Sequence, residues 1–219
     1  MSDRVEEEKR RAAEEAALLV RDGMTVGLGT GTTVAHLLPA LAARRLDIRC
    51  VATSPATAEA GARLGLRVEP FRSIERLDVA IDGADQVAPD RWLIKGGGGA
   101  HTREKVVAAA ADRLVVIVSS DKIVNRLTPP VPLELLEFGL EATLREMGTV
   151  RLRAGAPASP DGGVIADWTG PVDDPAALSA YLSAVPGVVQ HGLFPPGMVA
   201  DVVVGRTAPA GSGTADPPD

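Results

Sequence analysis

The 219-residue chain has a formal charge of −6, with 45% hydrophobic and 24% charged residues. That acidic balance argues against a nucleic-acid partner, because holding a phosphate backbone needs clustered cations, and the one dense basic run, Lys9 to Arg11, is flanked by glutamates. No apolar run approaches the roughly 20 residues that span a bilayer, so no membrane partner is expected.

Residues 3–22 read as an exposed helix rich in Glu, Arg and Ala, with Ala12, Ala16, Leu19 and Val20 on its apolar face and Gly23 placed to end it. The same stretch lacks the basic start, apolar core and cleavage site of a secretory signal, which predicts a cytoplasmic protein. Short apolar runs follow at 25–29, 48–53, 67–71, 78–83 and 113–120, each of buried-strand length. Cys50, the only cysteine, falls in the second run, where a small buried hydrophobe is expected in place of a reactive thiol. With no second thiol, no intramolecular disulfide can form, in keeping with a reducing compartment. Helical stretches separate these runs, one of them opened by Ser54 and Pro55 as cap and first-turn pair and closed by Gly65. Strands and helices alternating at this length predict an α/β fold built on a Rossmann-like, mostly parallel sheet covered on both faces.

The texture changes at NRLTPPVPLELLEF, where three prolines interrupt the pattern. Beyond it the chain reads as a helix at 137–147, strands near 149–154 and 163–169, a helix opened by Asp174 and Pro175, and strands near 187–193 and 199–205. The expected division is therefore a catalytic domain over 1–130 and 198–207, a second, smaller α+β domain over 131–197, and a disordered tail over 208–219.

Ligands of such sheets bind beyond the carboxyl ends of the strands, and the unusual residue clusters of this chain fall there. GLGTGTTV, from Gly27 to Val34, lacks both the dinucleotide glycine spacing and the Gly-Lys-Ser/Thr of a nucleotide loop. What remains is a turn of exposed N–H groups, the hydroxyls of Thr30, Thr32 and Thr33, and a helix N-terminus, a site suited to one phosphate. AIDGADQ puts Asp82 and Asp85 on one short loop, where paired carboxylates need a cation, a proton or a hydroxyl-rich ligand. LIKGGGGAHTREKVV delivers Lys95 at a strand end, then a run of glycines from Gly96 that lets a bound molecule approach the backbone. Thr102 is placed to cap the next helix, and Glu104 falls in its first turn as an ionised candidate general base. Lys122 in SSDKIV also follows a strand. His36 and His191 are expected to serve packing or the surface.

Taken in order, GLGTGTTV, TSPAT, DGAD, KGGGGAHTREK, the lysine of SSDK, PVPLELL and PGVVQHGLF resemble the type A ribose-5-phosphate isomerase family from about residue 9 to 205. The resemblance implies a final strand, ADVVVG, returning to the first sheet, and a homodimer or homotetramer of the pentose phosphate pathway. It implies isomerisation of ribose 5-phosphate and ribulose 5-phosphate with no metal and no cofactor, the phosphosugar being the only small-molecule partner. Residue by residue, it implies Glu104 as the base that moves a proton between C1 and C2, and Asp82 and Asp85 as the carboxylates that hold sugar hydroxyls and help ring opening. Lys95 and the backbone of Gly96, Gly97 and Gly98 would stabilise the oxyanion, and Thr30, Gly31, Thr32, Thr33, Lys122 and Lys9 would hold the phosphate. The chain departs from the family pattern at Gln86, Gly99, His101 and the SPDGG turn, and His101 is close enough to Glu104 to alter its pKa or the pocket shape.

Three alternatives compete with this reading. A sugar-phosphate sensor of a transcription regulator would need a helix-turn-helix ahead of the sheet, which 22 residues with one helix do not supply. A different phosphorylated pentose would keep the reaction and change the substrate. A carboxylate-bound metal on Asp82, Asp85 and Glu104 would make the chain a hydrolase.

Overall fold

The computed structural model describes residues 2–72 and 74–206; the tail expected at 208–219 lies outside the described residues. The first half comprises α1 (Ser2–Ala17), β1 (Thr25–Leu28), α2 (Thr32–Ala43), β2 (Arg49–Ala52), α3 (Pro55–Arg63), β3 (Arg67–Val68), β4 (Val79–Asp82), β5 (Gln86–Val87), β6 (Leu93–Ile94) and α4 (His101–Ala110). The second comprises β7 (Leu114–Ser119), β8 (Val131–Leu135), α5 (Leu140–Met147), β9 (Val150–Leu152), β10 (Val164–Trp168), α6 (Pro175–Ala184), β11 (Val188–His191), β12 (Leu193–Phe194) and β13 (Val199–Gly205).

Six strands form a parallel sheet in the order β13-β7-β4-β1-β2-β3. β7 shows why its sequence is an unbroken apolar run: Val115 and Ile117 pack under α1 and α2, while Leu114, Val116 and Val118 join Val107 and Ala108 of α4 on the opposite face. α1 presents Ala12, Ala13, Ala16 and Ala17 to the sheet, all almost wholly buried, and these small side chains let its backbone come close. Gly205 at the end of β13 completes the fit, since a Cβ there would stand 1.7 Å from the Glu8 carbonyl oxygen.

A second, antiparallel sheet runs β11-β8-β10-β9 and packs its own core of Val131, Leu133, Leu135, Ala166, Leu178 and Leu182. A three-stranded antiparallel sheet, β12-β6-β5, takes β5 and β6 from between β4 and β7 and β12 from between β11 and β13, and carries Lys95 at the exit of β6.

The final strand returns to the first sheet beside β7, and the caps at Ser54 and Asp174 form as expected: Ser54 Oγ accepts from Thr57 N at 3.2 Å, Asp174 Oδ1 from Ala176 and Ala177 N at 3.0 Å. The first helix ends at Ala17, five residues short of the expected 22, because Leu18, Leu19 and Val20 tighten into bonds to the third residue back and Arg44 Nη1 takes the carbonyls of Ala17 and Val20. β8 is the strand that prolines concealed. Pro132 lies within it and offers its carbonyl to Gly192 N at 2.7 Å, a role that needs no N–H. α5 starts at Leu140, three residues later than expected, behind Gly139 in the left-handed region. β3 is shorter than expected, with only Arg67 and Val68 paired to β2.

Cys50 is fully buried in β2, and burial pushes its thiol pKa up to about 12. Native protein is therefore expected to resist iodoacetamide at pH 8 and to react stoichiometrically once unfolded in urea, as read by intact mass; rapid native alkylation would contradict this placement.

Candidate active site

β1 delivers Gly29, Thr30 and Gly31 to the edge of the parallel sheet. Gly29 is required there by close approach: a Cβ would lie 1.8 Å from Asp82 Oδ1. Gly31, at φ +126° and ψ 179°, stands at the N-cap of α2 with no side chain to cap the first turn. The N–H groups of that turn, with no intrahelical partner, therefore face outward and favour an anion. Thr53 Oγ1 lies 2.7 Å from Thr30 Oγ1, and Thr57 Oγ1 donates to the Gly29 carbonyl at 3.0 Å, so the start of α3 braces this loop.

Lys9 and Lys122 reach the same place from α1 and from the 3-10 turn Ser120–Lys122. Their neighbour Glu8 is 1% exposed although it sits in a charge-rich helix. Its Oε2 accepts from Ser120 N at 2.8 Å and Ser120 Oγ at 2.6 Å, which ties α1 to the turn that carries Lys122.

β4 ends at Asp82. Its Oδ1 accepts from Gly83 N at 2.7 Å and Thr30 N at 3.1 Å, and its Oδ2 from Lys95 Nζ at 2.8 Å. Lys95 Nζ also donates to the Gly83 carbonyl at 2.6 Å and stands 3.0 Å from Glu104 Oε2, close enough for an ion pair, although that oxygen has no well-formed hydrogen bond. The cation that paired carboxylates call for is thus an ammonium. Asp85 Oδ2 accepts from Gly97 N at 2.8 Å.

Gly96 at φ +103° and Gly99 at φ +72° shape the glycine turn, closed by Gly99 N to the Gly96 carbonyl at 3.0 Å. α4 follows with Ala100 at its N-cap. Thr102 does not cap it; its hydroxyl turns to Glu134, a buried carboxylate of β8 that also accepts from Ser159 Oγ at 2.5 Å. Glu104 occupies the first turn as expected.

One cavity of about 160 Å³ joins these parts, lined by Lys9, Thr30, Gly31, Thr32, Thr33, Asp85, Lys95, Gly96, Gly97, Gly98, Glu104 and Lys122, with Gly83 and Ala84. Of the expected site residues only Asp82 is missing from its wall. Asp82 lies behind, 3% exposed, with its oxygens committed to Lys95, Gly83 and Thr30, so it holds the lysine and is not placed to hold sugar hydroxyls. A larger cavity of about 780 Å³ between α3, α4 and the loop Glu69–Arg72 is lined mainly by apolar side chains and contains none of the expected site residues.

The electrostatics differ from the expectation of a Glu104 held ionised by the helix. Burial, and then the Asp82 charge, push Glu104 up to about 8, with Lys95 pulling the other way. Burial also raises Asp82, offset in part by Lys95 and the two N–H donors. Lys95 is pulled down by burial, but the two carboxylates outweigh this and raise it. His101 is wholly buried and lowered to about 4 chiefly by burial, so it is neutral and adds no charge beside Glu104. His36 is half-buried beside Glu6, and His191 is buried against Ser179 and Ser183.

A parallel sheet whose strand ends gather a helix terminus suited to an anion and a buried lysine-carboxylate set around one cavity has the parts of an enzyme of phosphorylated small molecules that works by moving protons. The comparisons agree. The sequence profile of the family described as Ribose 5-phosphate isomerase A (phosphoriboisomerase A) matches residues 49–208. A relative in Rhodopseudomonas palustris (strain TIE-1), named Ribose-5-phosphate isomerase A, is 44% identical over 218 residues, covering 91% of this chain and 94% of the relative. One of the same name in Caulobacter sp. (strain K31) is 43% identical over 203 residues, covering 86% of this chain and 90% of the relative. Among solved structures, ribose 5 phosphate isomerase A from Neisseria gonorrhoeae superposes with a TM-score of 0.86 at 33% identity, covering 90% of this chain and 92% of that one. A D-ribose-5-phosphate isomerase in complex with phospho-erythronic acid gives 0.87 at 33%, covering 92% and 95%. The chain belongs to the ribose 5-phosphate isomerase A family, a family of aldose-ketose isomerases. The profile of the DeoR C terminal sensor domain matches only residues 4–64, the first helices and strands of the parallel sheet, and the sensor alternative is not favoured.

With Glu104 raised from 4.5 to about 8, its acid form predominates below that pH and cannot accept a proton. Isomerase kcat/KM is therefore expected to climb from pH 6 to about pH 8 and then level, by roughly tenfold per pH unit on the acid limb. A profile flat across this range would contradict the shift.

Proposed function

We propose that this chain interconverts ribose 5-phosphate and ribulose 5-phosphate through an enediolate, with Glu104 as the base. The observation that carries the reading is that Glu104 and the threonine-lined start of α2 open onto one cavity. The phosphate binds at the N–H groups of Thr32 and Thr33 with Lys9 and Lys122, which fixes the far end of the sugar and holds its first two carbons beside the carboxylate. Glu104 takes the proton from C2 of the aldose, leaving one negative charge shared by O1 and O2, and returns it to C1, while the proton of the C2 hydroxyl passes to O1 so that C2 becomes the carbonyl. Lys95 and the Gly98 N–H of the glycine turn face that charge, each fixed donor supplying on the order of 3 kcal/mol. Asp85 borders the same space and accepts from the sugar hydroxyls; Asp82 keeps Lys95 charged and in place.

Ribose 5-phosphate is favoured over another pentose phosphate because the four departures from the family pattern, Gln86, Gly99, His101 and the turn at 159–163, lie off the cavity wall. Gln86 bonds the main chain of Thr128, its Nε2 to the carbonyl at 2.8 Å and its Oε1 to the N–H at 2.9 Å. Gly99 faces Ile165, and His101 lies beneath Gly96. Phospho-erythronic acid, held by a structural relative, carries a carboxylate whose two oxygens resemble the enediolate.

The proposal extends to a catalytic domain at 1–130 and 198–207 and a smaller domain at 131–197, supported by separate sheets and cores. It extends to a role in the pentose phosphate pathway, and to the cytoplasm, where an unpaired cysteine is stable. A homodimer or homotetramer is supported by Phe138, 91% exposed, with Leu136 and Val189 also exposed on or beside the small sheet.

Ribose 5-phosphate incubated with the protein in deuterated water is expected to give ribulose 5-phosphate carrying deuterium at C1. Glu104→Gln is expected to lower turnover by about 10²–10⁴-fold with little change in KM. Near-normal turnover in that variant would remove Glu104 as the base, and no ketose from the unaltered chain would remove the function.

A further inference from the structure

The glycine turn is gripped from outside the parallel sheet by a single side chain. Arg153 follows β9, its main-chain N–H bonded to the Ile165 carbonyl at 3.1 Å. Its guanidinium meets Asp167 of β10 in a two-pronged pair, Nε to Oδ2 at 2.9 Å and Nη2 to Oδ1 at 2.5 Å. The remaining prong, Nη1, donates to the carbonyls of Gly97 at 2.9 Å and Gly96 at 3.2 Å. With side-chain exposures of 23% and 17%, the pair is shielded enough to keep this geometry.

A trans peptide is planar, so its C=O and N–H point to opposite sides. Holding the Gly96 and Gly97 carbonyls on Arg153 therefore aims the N–H groups of Gly97 and Gly98 the other way. The first is taken by Asp85 Oδ2. The second donates to no described residue, and Gly98 lines the cavity onto which Glu104 opens. Successive glycines have no side chains to restrict the turn, so its donor direction must be imposed from outside. The guanidinium charge behind both carbonyls also polarises these peptides and strengthens their N–H groups as donors.

Resting on the isomerase reading above, we infer that Arg153, oriented by Asp167, is a positioning residue that aims the Gly98 N–H at the oxygen on which enediolate charge develops. It acts through the turn and does not line the cavity. A lysine could not replace it, because a point charge cannot hold the carboxylate fork and two carbonyls together.

The test compares Arg153→Met and Arg153→Lys with the unaltered chain for kcat, KM, thermal midpoint, and inhibition by phospho-erythronic acid and by inorganic phosphate. Misaligning an oxyanion donor is expected to lower kcat by about 10²-fold in Arg153→Met, with KM within about threefold. Affinity for phospho-erythronic acid falls with kcat, and inhibition by inorganic phosphate is unchanged, a split that general loosening of the fold would not produce. Arg153→Lys retains the defect. If the Met variant does not fold, Asp167→Asn reads the same split, with kcat lower by about tenfold through loss of the charged fork. A kcat within twofold of normal, or equal weakening of both inhibitors, overturns the inference while leaving the active unaltered chain as an isomerase. An inactive unaltered chain overturns the site reading and this inference with it.

Discussion

The Lys95 ammonium lies between Asp82 and Glu104, with 2%, 4% and 3% of the three side chains exposed. An unpaired charge buried this deeply would be prohibitive, and breaking such a set by removing one partner leaves the others uncompensated. Two carboxyls and one ammonium are neutral together only when one carboxyl carries a proton. Burial raises both carboxyls; Asp82 is eased by Lys95 and by the N–H groups of Gly83 and Thr30, while burial and then the Asp82 charge push Glu104, which lacks a well-formed bond at Oε2, up to about 8. The set titrates as a unit, and burial has made Glu104 a stronger base than an exposed glutamate.

Much of the fold requires this arrangement. Asp82 ends β4, Lys95 leaves β6 and Glu104 opens α4, so three elements must meet within hydrogen-bond reach. The glycines are the means of approach. Gly29 lets Asp82 close on β1, and Gly192, where a Cβ would stand 2.1 Å from the Lys95 carbonyl oxygen, lets β6 pair with β12. The small sheet contributes from the other side, through Glu134 on Thr102 and, in the turn before β10, Asp161 on Arg103 at 2.7 and 2.8 Å. Glu104 and the glycine turn are thus held by both sheets.

The sequence made the parallel sheet legible because its strands are buried on both faces and read as apolar runs, while Ser54-Pro55 and Asp174-Pro175 mark helix starts through local bonds. β8 was hidden because a proline supplying only its carbonyl looks the same in sequence as one that breaks a strand. The wall of the cavity was legible at Thr30–Thr33, Asp85 and Lys95–Gly98, where glycines gather at strand ends. Glu8 and Arg153 were not, since they find their partners 112 and 56 residues away and nothing in their neighbourhood distinguishes them from surface charges. Asp82 was found but assigned to the sugar, because sequence spacing does not reveal which of two aspartates turns inward.

Phosphate recognition and proton transfer must share one ligand for this account to hold, and a crystal structure of the chain with phospho-erythronic acid measures that directly. The account expects one molecule in the cavity, its phosphate on the main chain of Thr32 and Thr33 with Lys9 and Lys122, and its carboxylate between the Gly98 N–H and Glu104. A phosphate seated at the glycine turn, or a ligand in the larger cavity beside α3, would contradict it.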